Sequence, residues 1–153
     1  MLRVTKGILL AFGFTLAFCA WADEEFLDPE DAFRFSARLV GSDALEVRYV
    51  IADGYYMYRD RYQFRVEPDS IRLGPPRFPD GEWHEDEFFG RSEIYRHEVT
   101  IQIPILEGAE RSRTIRLVAV SQGCAEAGIC YLPTTQAADF ELFSSPGRSR
   151  PAQ

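Results

Sequence analysis

Two cysteines, Cys124 and Cys130, are the residues of this chain best suited to chemistry, and five residues separate them in the stretch SQGCAEAGICYLP. A cysteine pair can form a disulfide that only stabilises the fold, or one that exchanges reversibly with the thiols of another protein. The spacing differs from the Cys-x-x-Cys of thioredoxins, and neither His84 nor His97 lies at zinc-finger spacing from the pair. We therefore predict no metal site, and thiol exchange at the pair would need no cofactor.

The immediate surroundings of the pair do not decide between these two roles. A disulfide here would close a seven-residue segment and stabilise the fold by about 2.4 kcal/mol, near the low end of the usual range. Thiol exchange needs access to one sulfur, and small neighbours would leave room for a second protein. These small neighbours are Gly123, Ala125, Ala127 and Gly128. A structural bridge and an exchange centre therefore both remain open at this point.

The first 22 residues have the three parts of a secretory signal peptide. Arg3 and Lys6 precede an apolar run over residues 7–20, and the motif AWA provides a small-x-small cleavage site. We expect cleavage after Ala22 and export to a compartment in which disulfides can persist.

The charge of the chain bears on its partners. The formal net charge is −7, and loss of the two basic residues of the signal peptide leaves 15 basic against 24 acidic residues, a net charge of −9. An acidic protein is a poor ligand for nucleic acid or for an anionic membrane. No second apolar run of about 18 residues follows, so we expect no membrane insertion after the signal is cleaved.

The remainder of the chain has the pattern of a β-protein. Apolar residues recur at every second position in several short runs, and turn residues separate the runs. The runs cover residues 33–39, 45–51, 62–66, 99–103, 115–119 and 140–142. We predict an all-β domain over residues 23–143, an immunoglobulin-like antiparallel β-sandwich with the cysteine pair on a hairpin, and a flexible tail or linker over residues 144–153.

Three longer motifs resemble a known family. They are DGYYMYRDRYQF from Asp53, WHEDEFFGRSEIYR from Trp83 and QGCAEAGICYLPTTQ from Gln122. Together they are similar to the N-terminal periplasmic domain of the bacterial thiol:disulfide interchange protein DsbD, from about Phe26 to Phe143. The resemblance implies an immunoglobulin-like fold with a redox hairpin and a periplasmic location.

The family also implies a function and partners. Its members accept two electrons from the thioredoxin-like domain of the same transporter and pass them to periplasmic oxidoreductases, including a disulfide isomerase and a reductase for cytochrome c maturation. By similarity, Cys124 and Cys130 form the redox pair. Cys130 would attack and form the mixed disulfide, and Cys124 would resolve it.

The segment from Asp86 to Gly90 matches the cap loop of the family. The resemblance implies that Phe88 covers the cysteine pair, whereas we expect Phe89 to pack in the core. Gly90 could serve as the hinge of the loop. If Asp86 and Glu87 lie near the pair, their charges would raise a cysteine pKa and slow the reduced protein until a partner docks.

Tyr56 and Tyr58 match family aromatics near the redox pair, although cross-strand packing would also explain them. The family transporter continues beyond this domain, whereas this chain ends at Gln153. We therefore expect a free-standing relative whose electron donor is a separate thioredoxin-like protein or membrane thiol reductase. The alternative is a secreted binding module whose hairpin disulfide is purely structural.

Overall fold

The computed structural model describes residues 26–142, so the predicted signal peptide (1–22) and tail (144–153) lie outside the described residues. A short helix α1 (Pro29–Ala32) precedes the strands, and two single 3-10 turns cover Arg59–Arg61 and Ala109–Arg111. The described strands are β1 (Phe33–Val40), β2 (Ala44–Ile51), β3 (Tyr55–Tyr58), β4 (Gln63–Glu67), β5 (Arg72–Leu73), β6 (Glu82–Asp86), β7 (Gly90–Tyr95), β8 (Glu98–Glu107), β9 (Thr114–Ser121), β10 (Gly123–Ala125), β11 (Ile129–Cys130) and β12 (Thr134–Glu141).

The strands form antiparallel sheets. A four-stranded sheet has the order β1-β2-β8-β5, a three-stranded sheet has the order β12-β9-β4, and a five-stranded sheet has the order β11-β10-β3-β7-β6. No helix within residues 26–142 is long and apolar enough to cross a membrane. The predicted fold class, an immunoglobulin-like β-sandwich with an inserted cysteine hairpin, is confirmed.

The main core is built from residues of the four-stranded and three-stranded sheets together with a few residues of the five-stranded sheet, and the period-two pattern of the sequence explains most of it. Leu45, Val47, Tyr49 and Ile51 are the buried residues of β2, and polar or less buried residues alternate with them. The same alternation buries every second residue over most of β8 and part of β9. Side chains of a strand point alternately to opposite faces, so these runs commit one face of each sheet to the core.

Strand β3 differs because all four of its residues, YYMY, are buried. Tyr55 and Met57 belong to the main core. Tyr56 and Tyr58 point to the opposite face and form a second, smaller buried cluster with Ile94 and Cys124. One strand therefore joins the core of the domain to the surroundings of the cysteine pair.

The small residues beside the cysteines do not all leave the pair open. Gly123 and Ala125 of β10 are buried, and a Cβ at Gly123 would lie only 2.5 Å from the ring of Phe33. These two residues are small because β10 packs closely onto the core. Of the four small residues, only Ala127 and Gly128 are exposed, so the predicted room for a second protein exists at the hairpin turn and not along β10.

Candidate functional site

The cysteine pair lies on the hairpin formed by β10 and β11. The turn between them contains Gly128 at a φ of 91°, a left-handed conformation that favours glycine. Cys124 and Cys130 face each other directly across the hairpin, with their Cα atoms 4.0 Å apart, and their sulfurs are bonded as a disulfide. The hairpin register thus brings together the two residues that the sequence predicted as a pair.

The two sulfur atoms differ in accessibility. Cys124 is fully buried. It lies opposite Tyr56 of strand β3 on one side and opposite Cys130 of strand β11 on the other. Cys130 is only partly buried, and β11 is the last strand of the five-stranded sheet. An attacking thiolate must approach one sulfur in line with the S–S bond. Cys130 therefore offers the more accessible target.

A short chain of polar contacts connects the pair to a carboxylate. The Tyr58 hydroxyl lies 3.2 Å from Cys124 Sγ and 3.8 Å from Cys130 Sγ, and it donates to Asp86 Oδ2 at 2.7 Å. Tyr56 also donates to this oxygen, at 3.3 Å. The Asp86 carboxylate is a much stronger acceptor than a disulfide sulfur, so the single hydroxyl hydrogen of Tyr58 goes to Asp86 and the hydroxyl oxygen faces Cys124.

The surroundings shift the pKa of both groups in this chain of contacts. Burial, followed by the hydrogen bonds to Tyr56 and Asp86, raises the pKa of Tyr58 strongly, so this tyrosine stays protonated. Burial alone would raise the pKa of Asp86, but the hydrogen bonds from the Phe89 amide, Tyr58, the Phe88 amide and Tyr56 outweigh it and lower that pKa. Asp86 is therefore ionised beside the cysteine pair at neutral pH.

Asp86 also organises the loop between β6 and β7. Its Oδ1 accepts hydrogen bonds from the backbone N–H groups of Phe88 at 2.9 Å and Phe89 at 2.8 Å. Gly90 ends the loop at a φ of 66°, where a residue with a side chain would be strained. One carboxylate thus holds this loop through one oxygen and Tyr58 through the other.

The two phenylalanines of the loop occupy different environments. Phe89 is partly buried against the cysteine cluster, with its ring 4.8 Å from that of Tyr58 and 4.1 Å from the guanidinium carbon of Arg61. Phe88 is 44% exposed and lines a surface groove beside the hairpin. Phe89 thus packs against a buried cluster as expected, and that cluster is the smaller one that contains Tyr58 and Cys124. The cap role of Phe88 stays a prediction.

The groove has a volume of about 370 Å³ and runs between the β6–β7 loop and the hairpin turn. Its lining residues are Tyr56, His84, Glu85, Asp86, Glu87, Phe88, Arg96, Ala125, Glu126 and Gly128. Four of the predicted site residues, Tyr56, Asp86, Glu87 and Phe88, thus line this groove, whereas Cys124 and Tyr58 are buried beneath the surface. Within residues 26–142, no group of three or more His, Cys, Asp or Glu side chains is arranged to hold a metal ion.

Arg96 belongs to this site, although the sequence gives no signal for it. Its guanidinium forms ion pairs with Glu126 in the hairpin turn, at 2.7 Å, and with Glu82 at the start of β6. It also lies 5.6 Å from the centre of the Tyr56 ring. A single arginine between two strands matches no motif, and only the fold reveals that it connects the hairpin turn to β6, at the other edge of the five-stranded sheet.

Comparison with known proteins identifies the family. The family model for the N-terminal region of the thiol:disulfide interchange protein DsbD matches residues 23–142. The chain belongs to the DsbD N-terminal domain family. The DsbD protein of Ralstonia nicotianae is 41% identical over 128 residues, which are 83% of this chain but 21% of that protein. The chain thus spans about a fifth of the length of this curated relative.

Two solved structures of DsbD N-terminal domains from Neisseria meningitidis support the same assignment. The domain in its reduced form is 41% identical, superposes with a TM-score of 0.69, and the match covers 75% of this chain and 89% of that one. The domain in a complex with the PilB N-terminal domain is also 41% identical, with a TM-score of 0.63 and coverage of 75% and 87%. The resemblance stated from the three sequence motifs is confirmed, and the alternative of a binding module is not favoured.

The lowered pKa of Asp86 predicts a pH-dependent contribution to stability. Because its folded-state pKa lies below the unfolded value, ionised Asp86 stabilises the fold above the ordinary carboxyl pKa, and this stabilisation is lost as the pH falls through the lowered value. We expect Asp86→Asn to lower the free energy of unfolding at pH 7 by about 1–3 kcal/mol. Urea unfolding of the oxidised proteins between pH 7 and about pH 3 would measure this.

The difference between wild type and variant should shrink as the pH falls, because the wild-type carboxylate then becomes protonated. Asp69→Asn removes one negative charge at an exposed position and serves as the control. A difference of constant size over the whole pH range would contradict the assignment to Asp86.

Proposed function

We propose that this domain is a periplasmic thiol:disulfide exchange protein that cycles Cys124 and Cys130 between disulfide and dithiol. The observation that carries the proposal is the asymmetric hairpin, in which a buried Cys124 is bonded to an accessible Cys130 beside the Tyr58–Asp86 pair. A relative has been solved in a reduced form, which supports a pair that exists in both redox states.

In the electron-accepting step, a thiolate of a reduced donor attacks Cys130 Sγ. A new S–S bond forms between donor and Cys130, the Cys124–Cys130 bond breaks, and Cys124 leaves as a thiolate that takes up one proton. The second thiol of the donor then loses its proton and attacks the mixed disulfide. This releases an oxidised donor, and Cys130 takes up the second proton. Two electrons and two protons have then reached the domain.

Delivery reverses these events with an oxidised recipient. The Cys130 thiolate attacks the recipient disulfide, one recipient sulfur leaves as a thiolate, and a mixed disulfide forms. Cys124 then attacks Cys130 Sγ, which restores the internal disulfide and frees the reduced recipient. The burial of Cys124 suits this resolving role, because only the neighbouring Cys130 lies within its reach.

The Tyr58–Asp86 pair controls how readily the reduced cysteines react. In the dithiol, the Cys124 thiol can donate its hydrogen to the Tyr58 oxygen, whose own hydrogen goes to Asp86. This arrangement and the nearby negative charge stabilise the thiol over the thiolate and raise the cysteine pKa. The reduced domain is therefore slow toward stray disulfides, and a docked partner must change the local field.

The partners follow from the same proposal. A DsbD N-terminal domain of Neisseria meningitidis forms a complex with the PilB N-terminal domain, which supports direct docking of another protein domain. For this chain we propose that this domain is an oxidoreductase, as the exchange function requires. Donors would be a thioredoxin-like domain or a membrane thiol reductase. Recipients would be a disulfide isomerase and a cytochrome c maturation reductase. Residues 1–22 would direct the domain, residues 23–143, to the periplasm.

A trapping experiment tests the exchange function. Cys124→Ser removes the resolving thiol, so Cys130 should accumulate in mixed disulfides with periplasmic oxidoreductases. These adducts can be identified by non-reducing electrophoresis and mass spectrometry. The matched control is Cys130→Ser, in which the remaining cysteine is fully buried.

The control variant should give few adducts, and reduction should release the partners from the Cys124→Ser protein. An absence of adducts from the Cys124→Ser protein, when it is folded and fully reduced before exposure, would contradict the proposed function.

The cap role of Phe88 leads to a separate prediction. The cap role that the resemblance implies predicts that Phe88→Ala exposes the Cys124–Cys130 disulfide further, and because the Phe88 side chain is largely exposed at the groove beside the hairpin, its removal should leave the core closed. We expect reduction by a small thiol such as dithiothreitol to become several-fold faster, with an unchanged free energy of unfolding.

Phe89→Ala is the comparison variant. Its ring packs against Tyr58 and Arg61, so its removal should destabilise the fold measurably. Equal reduction rates for wild type and Phe88→Ala would remove Phe88 from the mechanism.

A further inference from the structure

The exchange steps move a proton to and from a sulfur that solvent does not reach. Cys124 takes up a proton when the disulfide is reduced, and it loses this proton when it resolves a mixed disulfide. Its side chain is fully buried. Among residues 26–142, the Tyr58 hydroxyl is the only polar side-chain group, apart from the bonded sulfur, that contacts Cys124 Sγ, at 3.2 Å. The proton of Cys124 therefore has to pass through Tyr58.

Tyr58 cannot supply this proton alone. Burial raises its pKa strongly, so a Tyr58 that gives up its hydrogen must regain one at once. Its hydrogen-bond acceptor is Asp86 Oδ2, at 2.7 Å. Despite burial, hydrogen bonds lower the pKa of Asp86, so at neutral pH this carboxylate holds no proton to return. A further group must bring a proton to Asp86.

His84 of β6 lies beside this carboxylate and reaches the surface. Its Nε2 is 3.7 Å from Asp86 Oδ2, the oxygen that also accepts the Tyr58 hydrogen bond. Contacts that transfer protons are often this long in a resting site and shorten during the reaction. The His84 side chain is 28% exposed, against 10% for Asp86, and it lines the groove beside the hairpin. The imidazole thus lies between solvent and the Tyr58–Asp86 pair.

The other neighbours of His84 leave this contact free. The imidazole packs against the ring of Tyr56, with the ring centres 4.7 Å apart. The charged residues that line the groove with His84 are Glu85, Asp86, Glu87, Arg96 and Glu126. The guanidinium of Arg96 is paired with Glu82 and Glu126, so it does not compete with His84 for Asp86.

We propose that His84 is the group that supplies the proton to Cys124 and takes it back, through Asp86 and Tyr58. This inference rests on the proposed exchange function and adds the path along which its protons move. Histidine is the side chain whose ordinary titration range includes neutral pH, so it can both give and accept a proton there. His84 acts through Asp86 and Tyr58 and does not touch the sulfurs, so it is a positioning residue for the proton.

The path balances the electron-accepting step. The Cys124–Cys130 bond breaks, and its electron pair stays on Cys124 Sγ. Protonated His84 passes its Nε2 proton to Asp86 Oδ2, Asp86 passes it to the Tyr58 oxygen, and the original Tyr58 hydrogen moves to Cys124 Sγ. His84 then takes up a proton from water. Tyr58 and Asp86 end as they began, and the resolving step moves one proton along the same path in reverse.

The path also explains how a thiol that is held protonated can react quickly in a productive complex. A cysteine with a raised pKa is a poor leaving group in disulfide exchange. If Tyr58 delivers a hydrogen to Cys124 while the S–S bond breaks, the sulfur leaves as a thiol and this disadvantage disappears. The same contacts then keep the reduced pair quiet and assist its formation.

Chemical rescue tests the path. The oxidised proteins are reduced by excess dithiothreitol at pH 7, and the dithiol fraction is followed by alkylation. We expect His84→Ala to slow reduction roughly tenfold or more, since general acid–base catalysis contributes at least this much. Added imidazole can occupy the place of the missing ring beside Tyr56, so it should restore most of the lost rate. Imidazole should not change the wild-type rate.

Two further variants separate proton transfer from packing. His97→Asn is the matched control, because His97 is the second histidine of the chain and its side chain is 78% exposed. Asparagine tolerates the positive φ of this position, and the variant should react like wild type. His84→Phe keeps a ring against Tyr56 but carries no proton. It should be slow and insensitive to imidazole, and it replaces His84→Ala if the alanine variant is unstable.

The Tyr58 hydroxyl provides the last test. In a double variant of His84→Ala with Tyr58→Phe, imidazole should no longer restore the rate, because the connection to Cys124 is missing.

Equal reduction rates for wild type and His84→Ala would overturn the path while the exchange function stands. A His84→Phe protein as fast as wild type, or equal rescue with and without the Tyr58 hydroxyl, would do the same. A folded wild-type protein whose disulfide resists excess dithiothreitol would contradict the exchange function itself.

Discussion

The burial of strand β3 on both faces is the constraint on which the rest of the site depends. Tyr55 and Met57 pack into the core of the sandwich, while Tyr56 and Tyr58 pack against Cys124 on the other side. The core therefore fixes the position of the Tyr58 hydroxyl beside the disulfide. A reactive group on a hairpin would otherwise depend on loop geometry, which is more variable than that of a central strand.

Asp86 extends this rigid position to the neighbouring loop. It accepts hydrogen bonds from Tyr58 through one oxygen and from the amides of Phe88 and Phe89 through the other. A change at the sulfurs, such as a new thiol hydrogen pointing at Tyr58, therefore acts on the carboxylate that holds the loop. Arg96 joins the same site from the other side, through Glu126 in the hairpin turn.

Sequence patterns predicted the sandwich strands well because those strands bury one face only. Alternation in β2, over most of β8 and in part of β9 follows directly from that arrangement. Most of the five-stranded sheet gives no such signal, since the buried run YYMY has no alternation and the segment EWHED of β6 is mostly polar. The sheet that carries the cysteines is thus the one that breaks the simple pattern.

The family motifs predict which residues form the site, but only the structure shows how these residues are arranged. Periodicity cannot tell which of two adjacent phenylalanines turns inward, and here Phe89 lies against Tyr58 while Phe88 is exposed. Gly123 and Ala125, as small residues beside the cysteines, suggest access for a partner, but β10 is buried between β3 and β11. Access to Cys130 instead follows from its place on the last strand.

The equilibrium reduction potential of the Cys124–Cys130 disulfide tests the central claim most directly. It can be measured by equilibrating the wild-type domain with a thiol–disulfide buffer of known potential and quantifying the dithiol fraction by alkylation. A disulfide that carries electrons between oxidoreductases should have a potential clearly above about −300 mV, within the range of exchange proteins. A potential well below about −300 mV would mark the bridge as a stable structural disulfide and would contradict the account.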